Sequence, residues 1–182
     1  MQTTFGTTEF RNSVTAMANV VRICDGPIDL SWHHCGTTSE FLGEFFALGR
    51  ATSDQTFNET RHSIGYLVNE LLENAVKFRH PGDIVIESSL DAGRFELKVT
   101  NLIDSKTAAR FQVMLAEVTA CDPGDLLIQR IEANAADATS SGSGLGLLTL
   151  MSDYGARLGW KFHGAGEQEP VRLETFAVLD LP

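Results

Sequence analysis

The sequence predicts a two-layer α/β sandwich, with helices covering one face of a mixed, largely antiparallel sheet. Three observations support this prediction. Residues 54–78 keep a helical period, residues 84–99 contain two alternating runs joined by a turn, and the end of the chain contains a further strand pair. The predicted elements include too few consecutive βαβ units for a doubly wound parallel sheet, so that fold class is disfavoured. The 182 residues suffice for one well-buried domain.

The N-terminal part of the chain is predicted to form a short amphipathic helix. Phe10, Val14, Met17 and Val21 recur at helical spacing, and Asp-Gly-Pro at positions 25–27 would end the helix. We therefore expect residues 1–26 to be a helical segment whose apolar stripe makes a homodimer possible. The main domain is expected over residues 27–182.

The next part of the chain predicts a strand followed by two helices. Residues 28–32 alternate apolar and polar, and residues 37–40 offer a helix cap before a helix through positions 41–48. The longest helix is predicted from residue 54 to residue 78, because its apolar positions keep a helical period until His-Pro-Gly-Asp at 80–83.

The second half of the chain predicts a hairpin, three helices and two strands. The hairpin joins residues 84–90 and 95–99 through Asp91-Ala92-Gly93, a typical turn composition. Helices are expected over 105–119, 124–136 and 145–154, with a small polar loop at 139–144. Strands are expected over 160–162 and 173–181.

Composition limits the function classes that the chain can serve. The net charge of -10 and the pI of about 4.8 argue against general binding to nucleic acid or to an anionic membrane. No apolar run approaches the roughly 20 residues that span a bilayer. Three widely spaced cysteines fit free thiols in a reducing compartment. A cytoplasmic location is therefore expected.

One helix face carries residues suited to phosphoryl transfer. Glu70, Asn74 and Lys77 stand at i, i+4 and i+7, so a carboxylate, an amide and an ammonium share a face of the predicted helix. An amide oxygen can hold Mg²⁺, a lysine can neutralise phosphate oxygens, and a carboxylate can deprotonate an attacking hydroxyl. The alternative is an ordinary solvated helix face.

A glycine-rich loop precedes the predicted helix at residues 145–154. It reads Gly-Ser-Gly-Leu-Gly over residues 142–146, and backbone N–H groups in such a loop can bind phosphates at a helix N-terminus. The loop lacks the Gly-Lys-Ser/Thr ending of a P-loop, and it does not directly follow a strand. By itself it could equally be a flexible connector.

These two segments, in this order and with a hairpin between them, resemble the N box and G2 box of the GHKL (histidine-kinase-like) ATPases. The resemblance covers residues 54–180 and implies a Bergerat-type sandwich that binds ATP and Mg²⁺. It implies that Glu70 is the catalytic carboxylate, Asn74 the Mg²⁺ ligand and Lys77 a phosphate contact.

The same resemblance assigns Gly142, Gly144 and Gly146, together with Leu145, to the lid over the phosphates. Within the superfamily, the chain is similar to small serine/threonine kinases of partner-switching systems, of the anti-sigma-factor and SiaB types. The SiaB-type regulators resemble residues 142–162 and the two-helix segment that precedes them. This implies an ATP- and Mg²⁺-dependent protein kinase, whose usual partner is a STAS-domain protein.

The chain departs from the family at the G1 box, an Asp-x-Gly turn that reads adenine. Residues 99–105 contain no glycine, and Asn101 or Asp104 would have to replace the base-reading aspartate. The alternative function is therefore a non-catalytic regulatory module that keeps the fold, has lost nucleotide binding and acts by docking a partner.

Overall fold

The computed structural model describes residues 2–8, 19–24, 31–50, 52–136, 144–164 and 170–182. Its strands are β1 Gln2–Gly6, β2 Asn19–Ile23, β3 Ile84–Asp91, β4 Arg94–Ile103, β5 Arg157–His163 and β6 Val171–Asp180. Its helices are α1 Trp32–Arg50, α2 Asp54–Lys77, α3 Ser105–Val118, α4 Pro123–Ala136 and α5 Leu145–Ser152.

The described strands form one sheet in the order β1-β5-β6-β4-β3-β2. Every neighbouring pair in this sheet is antiparallel. Alternate residues of β4, among them Phe95, Leu97 and Val99, are buried on the face that the helices cover. The predicted two-layer α/β sandwich is confirmed.

Local sequence signals explain the helices and the hairpin that were predicted. The Ser53 side chain accepts a hydrogen bond from the Thr56 backbone N–H and caps α2, and Asp104 caps α3 through the Thr107 N–H. The β3–β4 turn contains Ala92 and Gly93, both with positive φ, as a two-residue hairpin turn requires. Both helices and the hairpin lie where the sequence predicted them.

The structure corrects the prediction for residues 1–26. The described parts of this segment, β1 and β2, are strands and not helix, and they form the two opposite edges of the sheet. Residues 9–18, which carry most of the predicted helix, lie outside the described residues. The described N-terminal strands therefore belong to the main sheet, because β1 pairs with β5 and β2 with β3.

The start of α1 also differs from the prediction. The helix begins at Trp32, which was expected to end a strand. Ser31 directly precedes the helix, and residues 28–30 lie outside the described residues. Thr37 and Thr38 are not caps but interior residues, whose hydroxyls donate to the carbonyl oxygens of His33 and His34. Such back-bonding satisfies a hydroxyl inside a helix, so a cap-like sequence can lie within one.

The described helices do not include one that is long and apolar enough to cross a membrane. The longest of them, α2, buries its apolar side against the sheet and α1, with Ile64, Leu67, Val68 and Leu72 fully buried. This burial fixes the rotation of α2 about its axis.

The packing of α1 on α2 depends on Gly43. A Cβ atom at this position would lie 2.6 Å from the backbone carbonyl oxygen of Arg61 on α2. Because a backbone atom cannot move aside as a flexible side chain can, any larger residue would separate the two helices.

We expect Gly43→Ala to lower the free energy of unfolding by about 1–3 kcal/mol. The control is Gly36→Ala in the same helix, where a Cβ would meet nothing within 4 Å. That change should raise the free energy of unfolding by about 0.5–1 kcal/mol, because alanine favours helix over glycine. Denaturant unfolding of both variants measures the difference, and equal stability would contradict the close contact.

Candidate functional site

A cavity of about 470 Å³ lies between α2, α3, the start of α5 and the helix-covered face of the sheet. Its walls are mainly apolar and include Leu71, Phe111, Leu147, Trp160 and Leu173. Such a cavity, apolar with a few polar groups, is typical of a site for a small organic ligand.

Two basic side chains line the cavity where it opens to solvent. They are Lys77 at the end of α2 and Arg110 on α3, and both residues are exposed. None of the described residues that line the cavity is acidic, although the whole chain carries a net charge of -10. The cavity is therefore locally suited to an anionic ligand.

Asn74 lines the same cavity, one turn before Lys77. Its Nδ2 donates a hydrogen bond of 2.8 Å to the backbone carbonyl oxygen of Glu70. This bond fixes the amide orientation and leaves Oδ1 as the atom available for a ligand or a metal ion. No group of three or more His, Cys, Asp or Glu side chains that could hold a metal ion occurs among the described residues.

Glu70 lies beside the cavity and not among its lining residues. Its carboxylate packs against α5, where a Cβ atom on Gly146 would come within 1.8 Å of Oε2. Burial raises the pKa of Glu70 above its usual value, and the Glu73 carboxylate raises it further. The Tyr66 hydroxyl offsets part of this pKa shift by hydrogen bonding to the carboxylate.

Aromatic contacts hold the neighbourhood of Glu70 in place. Tyr66, one turn before Glu70, stacks on Tyr154 with a centroid distance of 4.9 Å and an interplanar angle of 16°. The Tyr154 hydroxyl lies 3.2 Å from His62 Nε2. These contacts link α2 to the turn that follows α5, so the two elements that surround the carboxylate are tied together.

The glycine-rich loop is described only from Gly144 onward, so Gly142 lies outside the described residues. Gly144 lines the cavity, caps α5 and has a left-handed backbone with φ of 91°. Leu145 is the first residue of α5 and is not a lining residue. Gly146 follows it, and its missing side chain leaves the space that the Glu70 carboxylate occupies.

Of the two replacements considered for a base-reading aspartate, the structure brings only Asn101 to the cavity. Asn101 lies on β4 and is 3% exposed. Asp104 is exposed and caps α3, where hydrogen bonds from Thr107 lower the pKa of its carboxyl group. Asp104 therefore acts as the N-cap of α3 and does not line the cavity.

Several residues of the site were not predicted from the sequence. Trp160, interpreted as core, is fully buried yet lines the cavity beside Thr175, its register partner on β6. Its Nε1 has no hydrogen-bond partner among the described residues. No sequence signal marks these positions, because the pairing of β5 with β6 alone places them next to each other.

Arg130 of α4 is a second unpredicted residue near the glycine loop. Its Nη2 donates a 2.8 Å bond to Glu117 Oε2 on α3. Its Nη1 lies so close to Gly144 that a Cβ there would come within 2.6 Å. The Arg130 guanidinium therefore lies beside the N-terminus of α5. The charge of the guanidinium and the partial positive charge of the helix N-terminus both favour an anion there.

The fold and the site together define an α/β sandwich with a ligand-sized cavity between its helices and its sheet. Neither a family model nor a curated protein matches the chain. Among solved structures, the chain is similar to one chain of "The crystal structure of SiaB-SiaC complex from Pseudomonas aeruginosa". The TM-score is 0.63 and the sequence identity 14%, over 87% of this chain and 89% of that chain. This likeness shows the shared fold.

We expect Glu70→Gln to stabilise the protein at neutral pH and to have little effect near pH 4. The pKa of Glu70 is raised on folding, so the folded state holds its proton more tightly than the unfolded state does. The stability that this group contributes therefore falls as pH rises from the unfolded pKa of about 4.3 through the raised folded pKa.

Thermal unfolding of the natural chain and the variant over a pH series measures this effect. Glu59→Gln is the control, since it removes the same charge from an exposed position on α2. A difference in Tm between Glu70→Gln and the natural chain that does not grow from pH 4 to pH 7 would contradict the raised pKa.

Proposed function

We propose that the protein is an ATP- and Mg²⁺-dependent serine/threonine kinase of a partner-switching regulatory system. The observation that carries this proposal is the cavity, in which an apolar interior adjoins Asn74, Lys77 and Arg110 at the solvent side. Such an arrangement matches a nucleotide, whose base is planar and largely apolar on its faces and whose phosphates are anionic. Of the three α2 residues that the sequence suggested for this chemistry, Asn74 and Lys77 line the cavity and Glu70 lies beside it.

Asn74 is proposed to hold the metal ion. Its Nδ2 is bonded to the Glu70 carbonyl oxygen, so Oδ1 remains for a hard cation. Mg²⁺ usually takes one or two protein oxygens and completes its shell with phosphate oxygens and waters. A single amide ligand in the cavity therefore suffices when a triphosphate shares the ion.

Lys77, Arg110 and the start of α5 are proposed to bind the phosphates. Lys77 is exposed and its Nζ lies 5.1 Å from the centroid of the Phe78 ring, a contact that restrains the side chain at the cavity entrance. The Gly144 N-cap leaves the first N–H groups of α5 without a side-chain partner. These groups can donate to phosphate oxygens.

Glu70 is proposed as the general base. In this step it takes the proton of the partner's serine or threonine hydroxyl as the hydroxyl oxygen bonds to the γ-phosphorus. The bond from that phosphorus to the bridging oxygen breaks, and ADP leaves with that oxygen. A raised pKa suits this role, because a base works best when its pKa approaches the working pH.

A regulatory protein is proposed as the acceptor. The similar solved structure is a complex of two named proteins, SiaB and SiaC. A compact chain with this fold supports a role as one component of such a pair. We further propose that the partner is a STAS-domain protein, as the resemblance to partner-switching kinases implies.

One observation favours a second candidate, a regulatory module that docks a partner without nucleotide. The polar residue that lines the cavity from β4 is the amide Asn101, and none of the described lining residues is a carboxylate. Binding of ATP separates the two candidates directly.

We expect the natural chain to bind ATP with Mg²⁺, and Asn74→Ala to raise the Kd at least about tenfold, or about 1.4 kcal/mol. Lys77→Ala should raise it by a similar factor through loss of a charge-assisted hydrogen bond. Lys106→Ala is the matched control, because it removes an exposed charge on α3 outside the cavity. Calorimetry measures all three, and no binding at millimolar ATP would favour the docking module.

Glu70→Gln should lower phosphotransfer to the partner by about 10²–10⁴-fold while leaving ATP affinity within a few-fold. The change removes the proton acceptor and keeps the shape of the side chain. Glu59→Gln, at an exposed position farther away along α2, is the control and should keep most activity. Transfer of labelled γ-phosphate measures the rate, and full activity of Glu70→Gln would exclude the assigned base.

A further inference from the structure

The inner end of the cavity is formed by the sheet, and two polar side chains stand there. Asn101 on β4 and Thr175 on β6 are both largely buried and both line the cavity. In the register of the two strands, Asn101 pairs with Leu173, so Thr175 is its diagonal neighbour on the same face. A ring that enters the cavity to its full depth must pair its edge with these two groups.

Both groups can donate as well as accept hydrogen bonds. An amide presents a carbonyl oxygen and an NH₂ group, and a threonine hydroxyl can act in either sense. A carboxylate at this position would only accept, but none of the described lining residues is acidic. The Asn101 and Thr175 side chains therefore have no fixed hydrogen-bonding sense, whereas the Trp160 Nε1–H beside Thr175 can only donate.

The Asn101 amide is also weakly held. Among the described residues, its Nδ2 makes one hydrogen bond, 3.4 Å long, to the backbone carbonyl oxygen of Leu102. That distance exceeds the usual 2.7–3.2 Å of an N–H···O bond, so a half-turn of the amide group costs little. Rotation exchanges the positions of Oδ1 and Nδ2.

From these observations we infer that the site accepts purine nucleoside triphosphates with either a 6-amino or a 6-oxo group, with Asn101 as the residue that reads the base. This inference rests on the proposed nucleotide-dependent function and deepens it. With adenine, Oδ1 accepts from the 6-amino group and Nδ2 donates to N1. With a 6-oxo purine the rotated amide donates from Nδ2 to O6, and Oδ1 accepts from N1–H.

A group that only accepts hydrogen bonds would pair badly with both classes of base. In the same pose, one carboxylate oxygen of an aspartate would face N1 of adenine, or O6 of a 6-oxo purine, and neither acceptor would have a donor. Unpaired buried groups reduce affinity by about tenfold to a hundredfold each. Asn101→Asp should therefore weaken both nucleotides without making the site selective.

The test compares ATP with ITP, which differ at the 6-position and in the protonation of N1, in calorimetric titrations with Mg²⁺. For the natural chain we expect the two Kd values to agree within about fivefold. Asn101→Asp should weaken both ATP and ITP at least about tenfold, and Asn101→Ala should weaken both by a similar factor. Unfolding curves confirm that the variants are folded.

The outcomes separate this inference from the proposed function. A natural chain that binds ATP more than a hundredfold tighter than ITP overturns the inference and leaves the kinase proposal standing. Unchanged Kd values for both nucleotides in folded Asn101→Asp show that another group reads the base, and also overturn it. If neither nucleotide binds the natural chain, both the function and the inference fail. The ratio of the Kd values for ATP and ITP in the natural chain tests the inference without any variant.

Discussion

The packing of α2 is the constraint on which the rest of the site depends. Its apolar side is fully buried against α1 and the sheet, so the helix cannot rotate without exposing that surface. Asn74 and Lys77 are thereby held toward the cavity, and Glu70 toward α5. On an isolated surface helix the orientation of these polar side chains would not be fixed. Here the burial of the apolar side of α2 fixes it.

The second constraint is the close approach of α5 to Glu70. Because Gly146 has no side chain, the Glu70 carboxylate can pack directly against α5. The resulting burial raises the pKa of the Glu70 carboxyl group. One steric feature thus places the carboxylate and tunes its acidity. The same helix begins at Gly144, which lines the cavity, so the Glu70 contact also positions the start of α5.

The charge distribution explains how an acidic protein can present a site for an anion. The net charge of -10 repels anions at long range, but salt at physiological strength screens charges beyond about 8 Å. Of the described residues that line the cavity, Lys77 and Arg110 are basic and none is acidic, while the Glu70 carboxylate lies beside the cavity. Local charges therefore decide the preference of the cavity, while the acidic surface disfavours general binding to nucleic acid.

Helices and tight hairpins could be predicted from the sequence alone, because they are stabilised by residues that are close together in the chain. Helical period, caps and turn residues located α2, α3, α4, α5 and the β3–β4 hairpin, and the spacing of Glu70, Asn74 and Lys77 gave one polar helix face. Only the tertiary structure decided the rest. β1 pairs with β5 and β2 with β3, which are distant in the chain. The helix predicted from local spacing in residues 1–26 was therefore wrong for the described strands. Strand register likewise brings Asn101, Thr175 and Trp160 to the cavity, because pairing between distant strands leaves no local pattern in the sequence.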